Sequence, residues 1–208
     1  MNRRNLVQVV ASVVVVVFAI GIWTTGGKFD LGWLRFYSYA VLAATALLWL
    51  WDKILRKTRL AQKIPGVSRN LNGTWRGTLS SLWTDPATGT SPPPKPAYLV
   101  IRQTASSLRA ILLTDESKSM SDLAAVSGVD GAISLDYLYL NRPDSRVENR
   151  SRMHHGSTSL DVIGSPAMKL RGRYWTDRDS KGELEFVERN RHFAEDFDEA
   201  GGLFKTDG

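Results

Sequence analysis

From Leu71 to Arg189 the chain breaks into eight short stretches with strand character, and no ten-residue stretch of helical apolar spacing lies between them. The first is the clearest: Leu71, Gly73, Trp75, Gly77 and Leu79 alternate with Asn72, Thr74, Arg76, Thr78 and Ser80. A Pro-, Thr- and Gly-rich loop from Thr84 to Pro96 follows. The remaining stretches are Ala97 to Gln103, Ser107 to Thr114, Ser119 to Ser127, Ala132 to Leu140, Ser157 to Ile163, Met168 to Thr176 and Glu183 to Arg189. Turn signals such as Asp130-Gly131, Gly164-Ser165-Pro166 and Ser180-Lys181-Gly182 separate them. A parallel α/β fold needs intervening helices and is disfavoured. Eight antiparallel strands form a sandwich or close on themselves; closure removes exposed edges, so an all-β, eight-stranded antiparallel β-barrel is expected.

Ahead of the strands lie two apolar segments. Leu6 to Trp23 is an 18-residue stretch without charge, about 27 Å long as a helix and close to the thickness of a bilayer's hydrocarbon core. Leu31 to Trp51 is the second, interrupted by Arg35, with Trp33, Tyr37, Tyr39, Trp49 and Trp51 toward its ends, where interfacial aromatics collect. Gly26 and Gly27 suit a hairpin turn between them. A cleavable signal peptide is the competing reading of residues 3–23, but no small-residue cleavage site follows. Two retained spans are expected. Arg3 and Arg4 before the first, and Lys53, Arg56, Lys57, Arg59 and Lys63 after the second, outnumber Lys28 and Arg35 in the link. The positive-inside rule then places both the N-terminus and the strand-rich domain on the cytoplasmic side of the membrane that holds the hairpin.

The expected organisation is a helical hairpin with a basic flank at 1–60, a connector at 61–70, a barrel at 71–190 and an acidic tail at 191–208 with no clear period. Charge follows the same division. Residues 1–60 hold 8 Lys+Arg and 2 Asp+Glu, which leaves 19 of each in residues 61–208, so the net charge of +6 belongs to the hairpin. A domain that grips DNA or RNA polymer carries its own positive field, and this one is neutral. Zero cysteines exclude disulfides, thiolate metal sites and cysteine nucleophiles. Phosphate-loop, dinucleotide-fold, nucleophile-elbow and metalloprotease motifs are absent. Adjacent His154 and His155 point to opposite faces of a strand and do not share a metal. No catalytic residue, cofactor or metal is expected, and the protein is read as a non-enzyme.

The informative residues are polar and aromatic ones within the strand patterns. Ile133, Leu135, Tyr137 and Tyr139 share a face that continues to Asn141; Leu170, Gly172, Tyr174 and Thr176 share another. Turned inward, these faces give a barrel with an apolar bottom and a hydrogen-bonding mouth. Trp75 is expected as the core plug. Tyr139, Asn141, Tyr174 and Thr176 are either core or ligand-facing. Tyr98 and Arg102 share a face of their strand, and an inward Arg102 needs an anion whereas a rim position needs none. Arg178 belongs to a turn, at the surface unless a phosphate recruits it. A mouth of this kind suits a small ligand; the Gly73-Thr74-Trp75 stretch also fits a membrane-tethered, lipocalin-like barrel for a lipid or other apolar ligand, and a filled barrel would be an interaction module.

The order of these elements resembles a known family. Two N-terminal spans and a basic connector precede Leu71-Asn72-Gly73-Thr74-Trp75-Arg76-Gly77, Tyr139-Leu140-Asn141-Arg142-Pro143, His155-Gly156 and Arg171-Gly172-Arg173-Tyr174-Trp175-Thr176-Asp177-Arg178. That order is similar to the two-transmembrane, β-strand-rich effectors of cyclic-oligonucleotide-based antiphage signalling (CBASS). The resemblance implies a minimal barrel that binds a cyclic dinucleotide made by a cognate nucleotidyltransferase, with Tyr98, Arg102, Tyr139, Asn141, Tyr174, Thr176 and Arg178 as candidate contacts. It further implies homo-oligomerisation on activation, disruption of the bacterial inner membrane and abortive infection.

Overall fold

A computed structural model of the chain describes residues 3–26, 33–54, 58, 60, 62, 69–85, 89–104, 107–129, 132–148 and 152–205. The chain divides into two compact units, Met1–Ser68 and Arg69–Gly208. The expected turns at Gly27 and at Asp130-Gly131, and most of the basic connector, lie outside the described residues.

The first unit consists of α1 (Arg3–Thr25) and α2 (Trp33–Lys53), packed against one another. Small residues let the pair approach: Ala40 and Ala44 are buried, and a Cβ added to Gly21 would press on the Phe36 ring. Val15, Val16, Ile20, Ile22, Leu42 and Leu47 face outward. Among the described residues no helix is long and apolar enough to cross a membrane, so the structure does not show the expected transmembrane hairpin. Leu6, Val7 and Val9 of the apolar run have side chains outside the described ones.

The second unit is a closed barrel in simple up-and-down order, β1-β2-β3-β4-β5-β6-β7-β8. Its strands are β1 (Gly73–Ser81), β2 (Lys95–Gln103), β3 (Leu108–Leu113), β4 (Ser117–Val129), β5 (Ala132–Pro143), β6 (His154–Ile163), β7 (Lys169–Thr176) and β8 (Lys181–Asn190). All neighbouring pairs are antiparallel, and closure is made by β1 on β8, from Thr74 opposite Asn190 to Ser81 opposite Gly182. Irregularities at Arg76/Gly77 and Ser121/Leu123 bend the sheet where a flat one would not close.

Inward side chains follow the pleat. Trp75, Leu99, Ile101, Leu135, Leu160, Leu170, Leu184 and Phe186 are fully buried and fill the end of the barrel where β1 begins. Trp75 Nε1 donates to Leu71 O at 2.9 Å, Leu71 N donates to Gln103 Oε1 at 2.9 Å, and the Arg189 guanidinium lies 5.3 Å from the indole. The indole is therefore satisfied at its polar edge as well as packed, and the floor is solid, as the sequence suggested for Trp75.

The C-terminal segment departs from expectation. Residues after β8 are not an unstructured acidic tail: they cross the outside of the barrel and form α3 (Phe197–Gly202), capped by Asp196, whose carboxylate accepts from Glu199 N at 2.8 Å. The Glu199 carboxylate accepts in turn from Glu195 N at 2.7 Å, a reciprocal capping arrangement. Beneath this strap Tyr98, Val100, Leu113, Ala194 and Ala200 form a second, smaller apolar cluster. The Tyr98 ring lies 5.2 Å from that of Phe197 and 5.9 Å from that of Phe204.

Candidate functional site

The end of the barrel opposite Trp75 is open. Four connections meet there, leading from β1 to β2, β3 to β4, β5 to β6 and β7 to β8, and they ring a cavity of about 300 Å³. Its apolar wall is Leu79, Leu112, Val147, Pro92 and Pro93. Its hydrogen-bonding wall is Ser81, Thr114, Ser117, Ser119, Tyr139, Asn141, His154, Tyr174, Thr176 and Ser180, with Lys95 and Glu116 at the rim.

Local sequence sets each of these positions. Asn141 sits opposite Ser119 on one side and His154 on the other, so three polar side chains occupy one level of the wall. Ser119 Oγ donates to Asn141 Oδ1 at 2.7 Å in a buried bond, which fixes the amide orientation and leaves its NH₂ free of that contact. Two tyrosines project because glycines make room for them. Tyr139 pairs with Gly156 and Tyr174 pairs with Gly182; a Cβ on either glycine would collide with its tyrosine ring. The same device recurs at the floor, where Gly77 yields to Phe186.

Burial keeps these phenols protonated. Tyr137, one level below the mouth, is pushed up to about 12 by burial, offset in part by the Thr158 hydroxyl across the strand pair. Those two buried hydroxyls nevertheless fall short of hydrogen-bond geometry. Tyr139 is raised above the ordinary phenol range by burial, with Tyr137, Tyr174 and Asp177 adding to it, and burial also raises Tyr174. At neutral pH both mouth tyrosines therefore keep their O–H protons, and both line the cavity though largely buried, suited to flat heterocycles and phosphate oxygens alike.

Two turns shape the rim. Thr114 and Thr176 hydroxyls accept from Ser117 N at 3.0 Å and Ser180 N at 3.2 Å, each closing its own hairpin. Thr176 thus lines the cavity while holding its turn. The described mouth is chemically a binding surface with hydrogen-bonding side chains, the charges of Lys95 and Glu116, and two tyrosine rings.

Of the seven contacts expected from the sequence, the structure brings four together in this cavity: Tyr139, Asn141, Tyr174 and Thr176. Three lie elsewhere. Tyr98 faces outward and is covered by α3, and Arg102 also faces outward, its guanidinium 4.9 Å from the Phe193 ring. The inward face of β2 is Ala97, Leu99, Ile101 and Gln103 instead. Arg178 is exposed on the β7–β8 turn, where its Nη1 donates to Arg152 O at 3.2 Å. Sequence reasoning missed Ser119, His154, Lys95 and Glu116. The first two follow from Asn141 once strand register is known, whereas Lys95 and Glu116 stand at a loop end and in a turn, where no periodicity marks a face.

A closed eight-stranded barrel with a packed floor and a polar, aromatic mouth has the architecture of a domain that can hold one small ligand. The sequence places it more narrowly. The sequence model of the family described as Cap15, cyclic dinucleotide receptor domain, matches residues 64–188, and the chain belongs to that family. A curated relative, CD-NTase-associated protein 15 of Staphylococcus schleiferi, is 24% identical over 181 residues, covering 87% of this chain and 94% of that protein.

Proposed function

We propose that this protein is a CBASS effector whose barrel mouth binds a cyclic dinucleotide made by a cognate nucleotidyltransferase. The observation that carries the reading is the coincidence of the polar, aromatic cavity with the segment that matches the cyclic dinucleotide receptor family. A cyclic dinucleotide presents two bases and two phosphates. Tyr139 and Tyr174 offer rings and hydroxyl donors, Asn141 offers an amide, and the seryl and threonyl hydroxyls offer adaptable partners. Exocyclic edges of a base meet the level of Asn141, Ser119 and His154.

The apolar-ligand reading fares worse. A lipid tail needs depth, and below the tyrosines the interior is occupied by Trp75, Phe186 and the surrounding leucines. The cavity that remains is rimmed by hydrogen-bonding groups, which an apolar tail leaves unpartnered.

The output is read from the N-terminal unit. Occupancy of the barrel promotes self-association, and the helical hairpin then damages the bacterial inner membrane, ending the infected cell; barrel and N-terminus lie on the cytoplasmic side. Support comes from the uncharged run of Leu6 to Trp23, the excess of flanking cations, and the outward apolar side chains of α1 and α2. The experiment is co-expression with a cognate nucleotidyltransferase in bacteria, scored by uptake of a membrane-impermeant dye. The full chain makes cells permeable, and deletion of residues 1–60 abolishes this. Permeable cells with the deleted chain refute the membrane role, and intact cells with a demonstrably ring-bound full chain refute it equally.

A further inference from the structure

The mouth carries a charge arrangement that a binding surface for an anion does not need. Lys95 and Glu116 are the fixed charges of the described lining. They are paired with each other: Lys95 Nζ lies 2.9 Å from Glu116 Oε2, with Asp115 Oδ1 at 3.9 Å. The ammonium is supplied by the first residue of β2. The carboxylates come from the β3–β4 turn, which is pinned by Thr114 N donating to Ser117 O at 3.0 Å and by Asp144 N donating to Glu116 O at 2.8 Å. Lys95 and Glu116 remain 38% and 33% exposed, so an incoming ligand reaches both.

Resting on the receptor reading above, we propose that Glu116 is a built-in competitor: it occupies Lys95 in the empty barrel, and a ligand phosphate takes that ammonium only by displacing the carboxylate. The exchange of one anion for another on the same cation sets a threshold. An inorganic phosphate or a single nucleotide gains Lys95 and little else, while Glu116 repels it. A cyclic dinucleotide offsets the same exchange with the contacts it makes at Tyr139, Asn141 and Tyr174. Specificity of this kind comes from a repulsive element placed beside the attractive one. In a cell full of nucleotides, the carboxylate lowers affinity for every phosphorylated ligand and leaves a useful affinity only for the ring.

The test is calorimetric titration of the full chain in detergent with cyclic di-UMP, cyclic di-AMP, cyclic di-GMP and the mixed uridine-adenosine ring, and with UMP and AMP as single nucleotides. Using the tightest-binding ring, Glu116→Gln is expected to tighten binding about tenfold, a change of the order seen when one partly exposed like charge is removed from a site. The same variant gives measurable binding of UMP or AMP. Lys95→Met weakens ring binding about tenfold, and adding Glu116→Gln to it tightens binding by less than Glu116→Gln does alone, because the contested cation is gone and only the repulsion is relieved. Ring affinity unchanged or weakened in Glu116→Gln overturns the proposal. Should that variant melt well below the wild type, Lys95→Met decides alone: wild-type ring affinity in its absence overturns the proposal, and the tenfold loss supports it. If no ring binds the wild-type chain, the receptor reading falls and takes this assignment with it; if a ring binds and the variants do not differ, only this assignment falls.

Discussion

Trp75 and Gly156 show how single residues divide the barrel into floor and mouth. The indole is fully buried with its N–H satisfied, so Trp75→Ala leaves a large void in a packed end that has no means of collapsing. A loss of about 3 to 5 kcal/mol is expected in chemical denaturation, with no specific effect on ligand contacts. Gly156→Ala acts in the opposite sense. The new methyl meets both the Tyr139 ring and the Trp175 carbonyl oxygen, so ligand affinity drops by about tenfold or more and stability falls as well, by about 3 kcal/mol, the upper end of overpacking changes. Calorimetry on each variant checks the split. Alternation alone located Tyr139, Asn141, Tyr174 and Thr176, because the strands that carry them have one consistently apolar face leading up to the polar residue. It located neither Lys95 nor Glu116, whose positions depend on where a loop returns.

Among the elements, β2 is where the sequence reading chose the wrong face: Tyr98 and Arg102 were expected at the ligand and lie outside the barrel. Lys95–Gln103 is apolar on both faces, with Ala97, Leu99 and Ile101 on one and Tyr98 and Val100 on the other. Both are buried, the first by the barrel core and the second by the strap around α3. The strap's own signals were present in Asp196 and Glu199 as a cap and in Phe193, Phe197 and Phe204 as anchors, but acidic composition masked them. Tyr98→Ala therefore lowers barrel stability by about 2 to 4 kcal/mol, measured by denaturant unfolding, and leaves ring affinity unchanged; a selective loss of affinity would return Tyr98 to the site. The outer face of β4-β5-β6 carries a different tie. Burial alone would raise the Asp136 carboxyl, but the hydroxyls of Ser134, Ser159 and Ser127 outweigh it and hold it below the ordinary range. The folded carboxylate thus takes up its proton less readily than the unfolded one. Its stabilisation is complete above the unfolded carboxyl pKa, near about 4, and is lost as pH falls through the folded value. Melting temperatures followed from neutral to acid pH should decline more steeply for the wild type than for Asp136→Asn; parallel curves would contradict this.

At the scale of the whole molecule the passage from two helices to an eight-stranded barrel was legible in the sequence. The change from long apolar runs to period-two stretches marks where helices end and strands begin, and all eight strands fall within a few residues of their expected positions because turn residues punctuate them. Closure was favoured by edge avoidance and is realised through β1 on β8. What the sequence could not supply was the set of side chains that eight separated strands bring to one rim, since a one-residue slip in any strand exchanges its faces. The central claim is that the rim, and no other surface of the barrel, receives the cyclic dinucleotide. Amide chemical-shift mapping of the full chain in micelles, with and without a saturating ring, tests it most directly. The account predicts the largest changes at Ser119, Tyr139, Asn141, Tyr174 and Thr176, with Tyr98, Arg102 and the strap unmoved; changes concentrated at Tyr98 and Arg102, with the rim silent, would contradict it.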